Sequence, residues 1–87
     1  MARSEKKESD QQAFGDEVRR RRRALGYSQE DFAHQFGFNR TYYSSVERGE
    51  YNLSLANALK IIRALGTKPS EFFKSLDHIP ADPPTQE

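Results

Sequence analysis

The sequence predicts an all-α domain of five short helices, compact and flanked by disordered tails. Three observations predict it. Apolar residues recur at helical spacing in separate short segments. A capping residue stands ahead of three of them: Ser28, Asn39 and Ser54. A glycine stands behind four of them: Gly26, Gly37, Gly49 and Gly66. The expected division is a flexible tail at 1–12, a folded domain at 13–76 and a second flexible tail at 77–87.

Residues 1–12 are polar, of mixed charge and without periodicity. Arg3, Lys6 and Lys7 suit a nucleic-acid backbone, but Glu5, Glu8 and Asp10 dilute them, so a solvated tail is the preferred reading. The first helix is expected from Ala13 to Leu25, with Phe14, Val18 and Leu25 as its apolar stripe. The five arginines at positions 19–23 follow one another. Successive helical residues lie about 100° apart, so the five cannot all face one partner.

The second helix is expected over Gln29–Phe36. Ser28 caps it, and Asp31 supplies the acidic partner of the cap. Phe32, Ala33 and Phe36 make its apolar face. Gly37 supplies the positive φ of a tight corner. The third helix is expected over Arg40–Glu47, capped by Asn39. Tyr43 and Val46 face inward, with the Tyr43 hydroxyl either at the core edge or against a base. Ser54 caps the fourth helix, whose core wall is expected from Leu55, Ala58, Leu59, Ile62 and Leu65. Leu53 is a candidate staple onto it, and Ile61 lies off that stripe. Pro69 opens a fifth helix through Phe72, Phe73 and Leu76. Pro80, Pro83 and Pro84 prevent its continuation.

A chain of 87 residues supports one small domain with a marginal core, which dimerisation would reinforce. There are no cysteines, which excludes disulfides and thiol catalysis. No apolar run is long enough to span a bilayer and no signal-peptide core is seen, so no membrane partner is expected and the cytoplasm is the expected location. His34 and His78 are isolated, and no metal site or cofactor is expected. No phosphate-cradling glycine loop or nucleophile–histidine pairing argues for an enzyme. The net charge of +1 is neutral as to partners, whereas the local arginine run favours phosphate.

The corner at Gly37 leaves Arg40, Thr41, Ser44 and Ser45 outside. Forked or short hydrogen-bonding groups of this kind suit base edges in a major groove. Gln29, in the first turn of its helix, suits a phosphate. These residues carry a family resemblance. Ala33, Gly37 and Val46 resemble the fixed small, glycine and apolar positions of a helix-turn-helix. Tyr27-Ser28-Gln29-Glu30, Arg40-Thr41-Tyr42 and Glu47-Arg48-Gly49 resemble the lambda-repressor/Cro-like (Xre) family. Arg40-Thr41-Tyr42 and Asn52-Leu53-Ser54-Leu55 are most similar to restriction–modification controller proteins.

The resemblance spans residues 14–76 and implies a lambda-repressor-like fold and a transcription regulator on a double-stranded DNA operator. It implies base contacts from Asn39, Arg40, Thr41, Ser44 and Ser45. It implies backbone contacts from Gln29, Tyr42, Arg48, Tyr51 and Asn52, with Gln29 also bracing the third helix. Arg48 alternatively serves its own helix C-terminus. Arg22 stands where the family pairs a basic residue with the glutamate at 47, or reaches a phosphate; the pair is preferred. Arg21 replaces a family leucine and must snorkel. Family members commonly dimerise through the fifth helix, so Ile61, Phe72, Phe73 and Leu76 are expected at a homodimer interface on a near-palindrome, in preference to aromatics that merely cap the core. A controller would both activate and repress, with RNA polymerase as a further partner. The competing reading is an antitoxin or other protein-interaction module on the same helix-turn-helix.

Overall fold

Three serines and an asparagine set where four of the helices begin. The structure, a computed structural model, describes residues 9–78. It contains α1 (Asp10–Ala24), α2 (Gln29–Phe36), α3 (Arg40–Glu47), α4 (Leu55–Ala64) and α5 (Pro69–Lys74). Ser9, Ser28, Asn39 and Ser54 each accept a backbone N–H in the first turn of the following helix, at 2.9–3.1 Å. Such a cap satisfies one of the donors that a helix start leaves without an intrahelical partner. The expected all-α, five-helix architecture is the one observed, and no strand occurs among the described residues.

Helix α1 begins at Asp10, ahead of the expected Ala13. Ser9 caps it, and the acid Asp10 in the first turn suits the positive end of the helix dipole. The polarity that reads as a tail is the polarity of a helix start. Its first turn is also pinned: a Cβ on Gly49 would meet the Gln12 Cα at 2.7 Å. The remainder of the expected tails, residues 1–8 and 79–87, lies outside the described residues.

The core gathers Phe14 and Val18 of α1, Phe32 and Ala33 of α2, Tyr43 and Val46 of α3, Ala58, Ile61 and Ile62 of α4, Leu65, and Phe72 of α5. Phe32 is its aromatic centre, with ring centroids of Phe36 at 4.7 Å and Tyr43 at 5.2 Å. These tilted pairs add to the stabilisation from the area the rings bury.

Three apolar expectations are corrected. Leu25 is exposed, because it is the C-cap of α1 and its side chain leaves the stripe there. Leu55 is 69% exposed and Ile61 is fully buried. The stripe of α4 is Ala58, Ile61, Ile62 and Leu65, an i, i+3, i+4, i+7 set rotated from the expected one. Both sets satisfy helical spacing; the seat against α5 selects between them.

Ile61 and Phe72 are consequently corrected as interface residues. Both have no exposed surface and cannot meet a partner. Phe72 packs on Phe14 at 5.0 Å between centroids. Phe73, 40% exposed, and partly buried Leu76 remain accessible on that side.

Candidate nucleic-acid interface

Helix α3 is divided by its own periodicity. Tyr43, Val46 and Glu47 are buried, while Arg40, Thr41 and Arg48 are exposed and Ser44 and Ser45 partly so. The corner that presents it is built as expected. Gly37 takes φ 78°, and the Phe38 N–H donates to the Ala33 carbonyl at 2.8 Å. Arg40, Thr41, Ser44 and Arg48 together line a shallow concavity. Arg40 makes no hydrogen bond or ion pair to any described residue, so its fork is free to meet a ligand.

The scaffold behind this face is ionic. Arg22 donates to Glu47 through Nε at 2.7 Å and Nη2 at 3.0 Å, and through Nη1 to the Tyr27 carbonyl at 2.7 Å. This is the expected pairing of Arg22 with Glu47, and a bidentate one. Both partners are buried, Arg22 to 5% exposure and Glu47 to 1%. Gln29 adds a third donor, its Nε2 reaching Glu47 Oε1 at 2.8 Å. Burial pushes the Glu47 carboxyl up, but the hydrogen bonds from Arg22 and Gln29 outweigh it and hold the group below its ordinary value of 4.5.

Stability linked to Glu47 is therefore fully present above the unfolded pKa near 4.5 and is lost as pH falls through the lower folded pKa. Glu17 acts in the same direction: burial raises it, and hydrogen bonds from Arg20 and Arg21 more than reverse that. Acid titration of the unfolding free energy is expected to be flat near neutrality and to fall below about pH 4.5. Glu47→Gln should flatten the acid limb; an unchanged limb would assign it to other carboxylates.

Four of the five arginines are paired within the chain, though only Arg22 is buried, which corrects the expectation of a phosphate-attracting cluster. Arg19 donates to the Glu47 carbonyl at 3.2 Å, capping the end of α3, and pairs with Asp16 at 3.2 Å. Arg20 and Arg21 each reach Glu17 at 2.6 Å. Arg21 continues to Thr67 Oγ1 at 3.2 Å and Ser75 Oγ at 2.9 Å, its guanidinium 5.6 Å from the Phe72 ring centroid. It thereby covers apolar ground and ties α1 to α5, as a snorkelling residue does. Arg23 alone of the five has no side-chain partner among the described residues.

The residues expected on the DNA backbone are variously placed. Both ends of the Gln29 amide are engaged inside, leaving the free backbone N–H at the start of α2 for an anion. Tyr42 packs on Tyr51 as a tilted pair, ring centroids 5.0 Å apart, and its hydroxyl is shielded without a partner, so a phosphate contact from that oxygen requires the ring to turn. Tyr43 is fully buried in the core, which removes the base-edge reading. Its hydroxyl lies beside the Arg22–Glu47 pair without a well-formed hydrogen bond, and burial, followed by the neighbouring Glu47 carboxylate, raises its pKa and keeps it protonated. Asn39 uses Oδ1 as the cap of α3 and keeps its amide N–H groups for outside. Tyr51 and Asn52 are exposed, and with Phe14, Leu53 and Phe73 they border a groove of mixed polarity that Asp10 and Gln11 also line.

Arg48 is not a free cation. Its Nε and Nη2 meet both Glu50 carboxylate oxygens at 2.9 and 3.1 Å, Nη1 donates to Ser44 Oγ at 2.8 Å, and Nη2 donates to Ser45 Oγ at 3.2 Å. Glu50 is the residue that sequence reasoning missed. Its signal was an acid two places after Arg48, across a positive-φ glycine that folds the chain back.

This arrangement has known counterparts. A family model described as helix-turn-helix matches residues 18–72. The control protein C.MunI of Mycoplasma sp. is 43% identical over 65 residues, covering 74% of this chain and 88% of that protein. The crystal structure of the restriction–modification controller protein C.AhdI from Aeromonas hydrophila superposes with a TM-score of 0.67 at 45% identity, covering 74% of this chain and 97% of that one. The controller C.Esp1396I, solved as a tetramer on its natural 35 base-pair operator, gives a TM-score of 0.71 at 28% identity, covering 77% of this chain and 88% of that one. With this fold, this motif and these relatives, the chain belongs to the helix-turn-helix family, as a transcription regulator of the kind represented by the restriction–modification controller proteins.

Proposed function

We propose that this regulator reads a near-palindromic double-stranded operator as a homodimer and acts as a restriction–modification controller, by binding and without catalysis. The observation that carries this is the free guanidinium of Arg40, at the exposed start of a helix whose other face is locked into the core. Asn39, Thr41, Ser44 and Ser45 read bases beside it. Two such helices about one DNA turn apart would engage both half-sites. Register comes from phosphate contacts by the α2 N-terminus at Gln29, by Tyr42 and Arg48 once they reorient, and by Tyr51 and Asn52. The operator complex of C.Esp1396I supports the reading.

Arg40 paired bidentately with guanine would contribute about 1–3 kcal/mol of base discrimination. Arg40→Ala is expected to relax the preference at one base position per half-site, measured by enrichment of bound duplexes from a random pool. An unaltered enriched sequence would remove Arg40 from base reading.

The dimer contact is assigned to Phe73 and Leu76. Phe73→Glu is expected to yield monomers in sedimentation velocity and to weaken operator binding at least about tenfold, since one half-site must then bind alone. A dimeric variant would place the contact elsewhere. No helix among the described residues is long and apolar enough to cross a membrane, and the operator reading assigns the chain to the cytoplasm. Activation would add a contact with RNA polymerase.

A further inference from the structure

Both serines of the reading face direct their protons inward. Ser45 Oγ donates to the Thr41 carbonyl at 3.0 Å, and Ser44 Oγ donates to Gln29 Oε1 at 3.3 Å. For Ser44 the direction is imposed from another helix. Gln29 Nε2 donates to Glu47 Oε1 at 2.8 Å, and an ionised carboxylate only accepts. The amide therefore turns its oxygen to Ser44, and since that oxygen only accepts, the proton shared between them is the Ser44 hydroxyl's. A hydroxyl has one proton and two acceptor lone pairs. With the proton committed, Ser44 offers the outside lone pairs alone. In the free protein a donor already stands there, Arg48 Nη1 at 2.8 Å.

We propose that Glu47 and Gln29 set the hydrogen-bond polarity of the reading face, making Ser44 an acceptor that selects an exocyclic amino group, adenine N6 or cytosine N4. Guanine and thymine present no donor in the major groove, so neither satisfies it. Gln29 and Glu47 are positioning residues in this scheme; Ser44 makes the contact. The inference rests on the operator reading above and adds the chemistry of one base position. Ser44 differs here from Ser45, whose proton goes to a carbonyl of its own helix and is set by no side chain of a second helix.

The test is enrichment of bound duplexes from a random pool by the full chain. Wild type is expected to select adenine or cytosine at the position where Ser44→Ala loses its preference. Gln29→Met removes the acceptor while keeping the side-chain length, and leaves the Ser44 proton free to turn outward. It should admit guanine or thymine at that position and leave the Arg40-dependent position unchanged. A merely structural role would weaken binding to all sequences alike and leave the selected base as it was.

A second measurement uses only the unaltered protein, so variant folding does not enter. Replacing the selected adenine by purine, or the selected cytosine by 2-pyrimidinone, deletes the amino group alone. Affinity should fall about tenfold, and the arm that responds identifies the base. Selection of guanine or thymine by wild type, an unchanged base with Gln29→Met, or undiminished binding of the amino-free duplex would each overturn the proposal. Failure of wild type to enrich any duplex would instead overturn the operator reading, and this inference with it.

Discussion

Replacing Glu47 by alanine is expected to destabilise the domain by about 3–5 kcal/mol, the range for stranding one member of a buried ion pair. Arg22 would remain buried with its Nε and Nη2 donors unmet, and Gln29 would lose its carboxylate partner. A small domain has only about 5–15 kcal/mol in total, so much of the population could unfold at moderate temperature. Urea denaturation followed by circular dichroism would read the loss. The paired replacement Arg22→Met with Glu47→Leu should recover most of it, because no charge is then left unpartnered. If the double variant is no more stable than Glu47→Ala, the loss comes from packing and the electrostatic account is wrong. DNA reading need not return with stability, since the double variant no longer orients Gln29.

Gly15→Ala carries the second large expectation, and its sign opposes helix propensity. In an exposed helix interior the change would stabilise by about 1 kcal/mol. Here a Cβ would lie 2.4 Å from the Val46 carbonyl oxygen and 2.6 Å from that of Glu47. Those atoms are backbone and cannot swing aside like a side chain. Helix α1 would have to retreat from α3, at a cost of about 3 kcal/mol, the upper part of the overpacking range. The retreat would also lengthen the Arg19 and Arg22 contacts that hold α3. A lowered urea midpoint is the expected result; a raised one would mean that the two helices separate at little cost.

These two variants probe one joint, the crossing of α1 over the end of α3. The helix-turn-helix corner supplies the orientation of the exposed face of α3, and this joint holds it. Four of the five consecutive arginines serve contacts within the chain, three of them to α3 or α5. The field that the run would project outward is largely neutralised by Glu17, Glu47 and Asp16.

The linear pattern by itself determined the five helices apart from the first turn of α1, the caps Ser28, Asn39 and Ser54, and the exposed row of Arg40, Thr41, Ser44 and Ser45. Each of these is local: a cap bonds within one turn, and a helical stripe is counted along one segment. It also suggested the Arg22–Glu47 pair, through the family resemblance. Only the tertiary structure decided that Ile61 rather than Leu55 is core, since two overlapping stripes satisfy the same spacing and the neighbouring helix chooses between them. It alone placed Phe72 inside and left Phe73 accessible. It alone engaged Arg48 with Glu50 and gave the Ser44 proton its direction. Those outcomes depend on which groups meet across helices, and hydrogen-bond partners and ion pairs at long sequence separation leave no periodic trace in the chain.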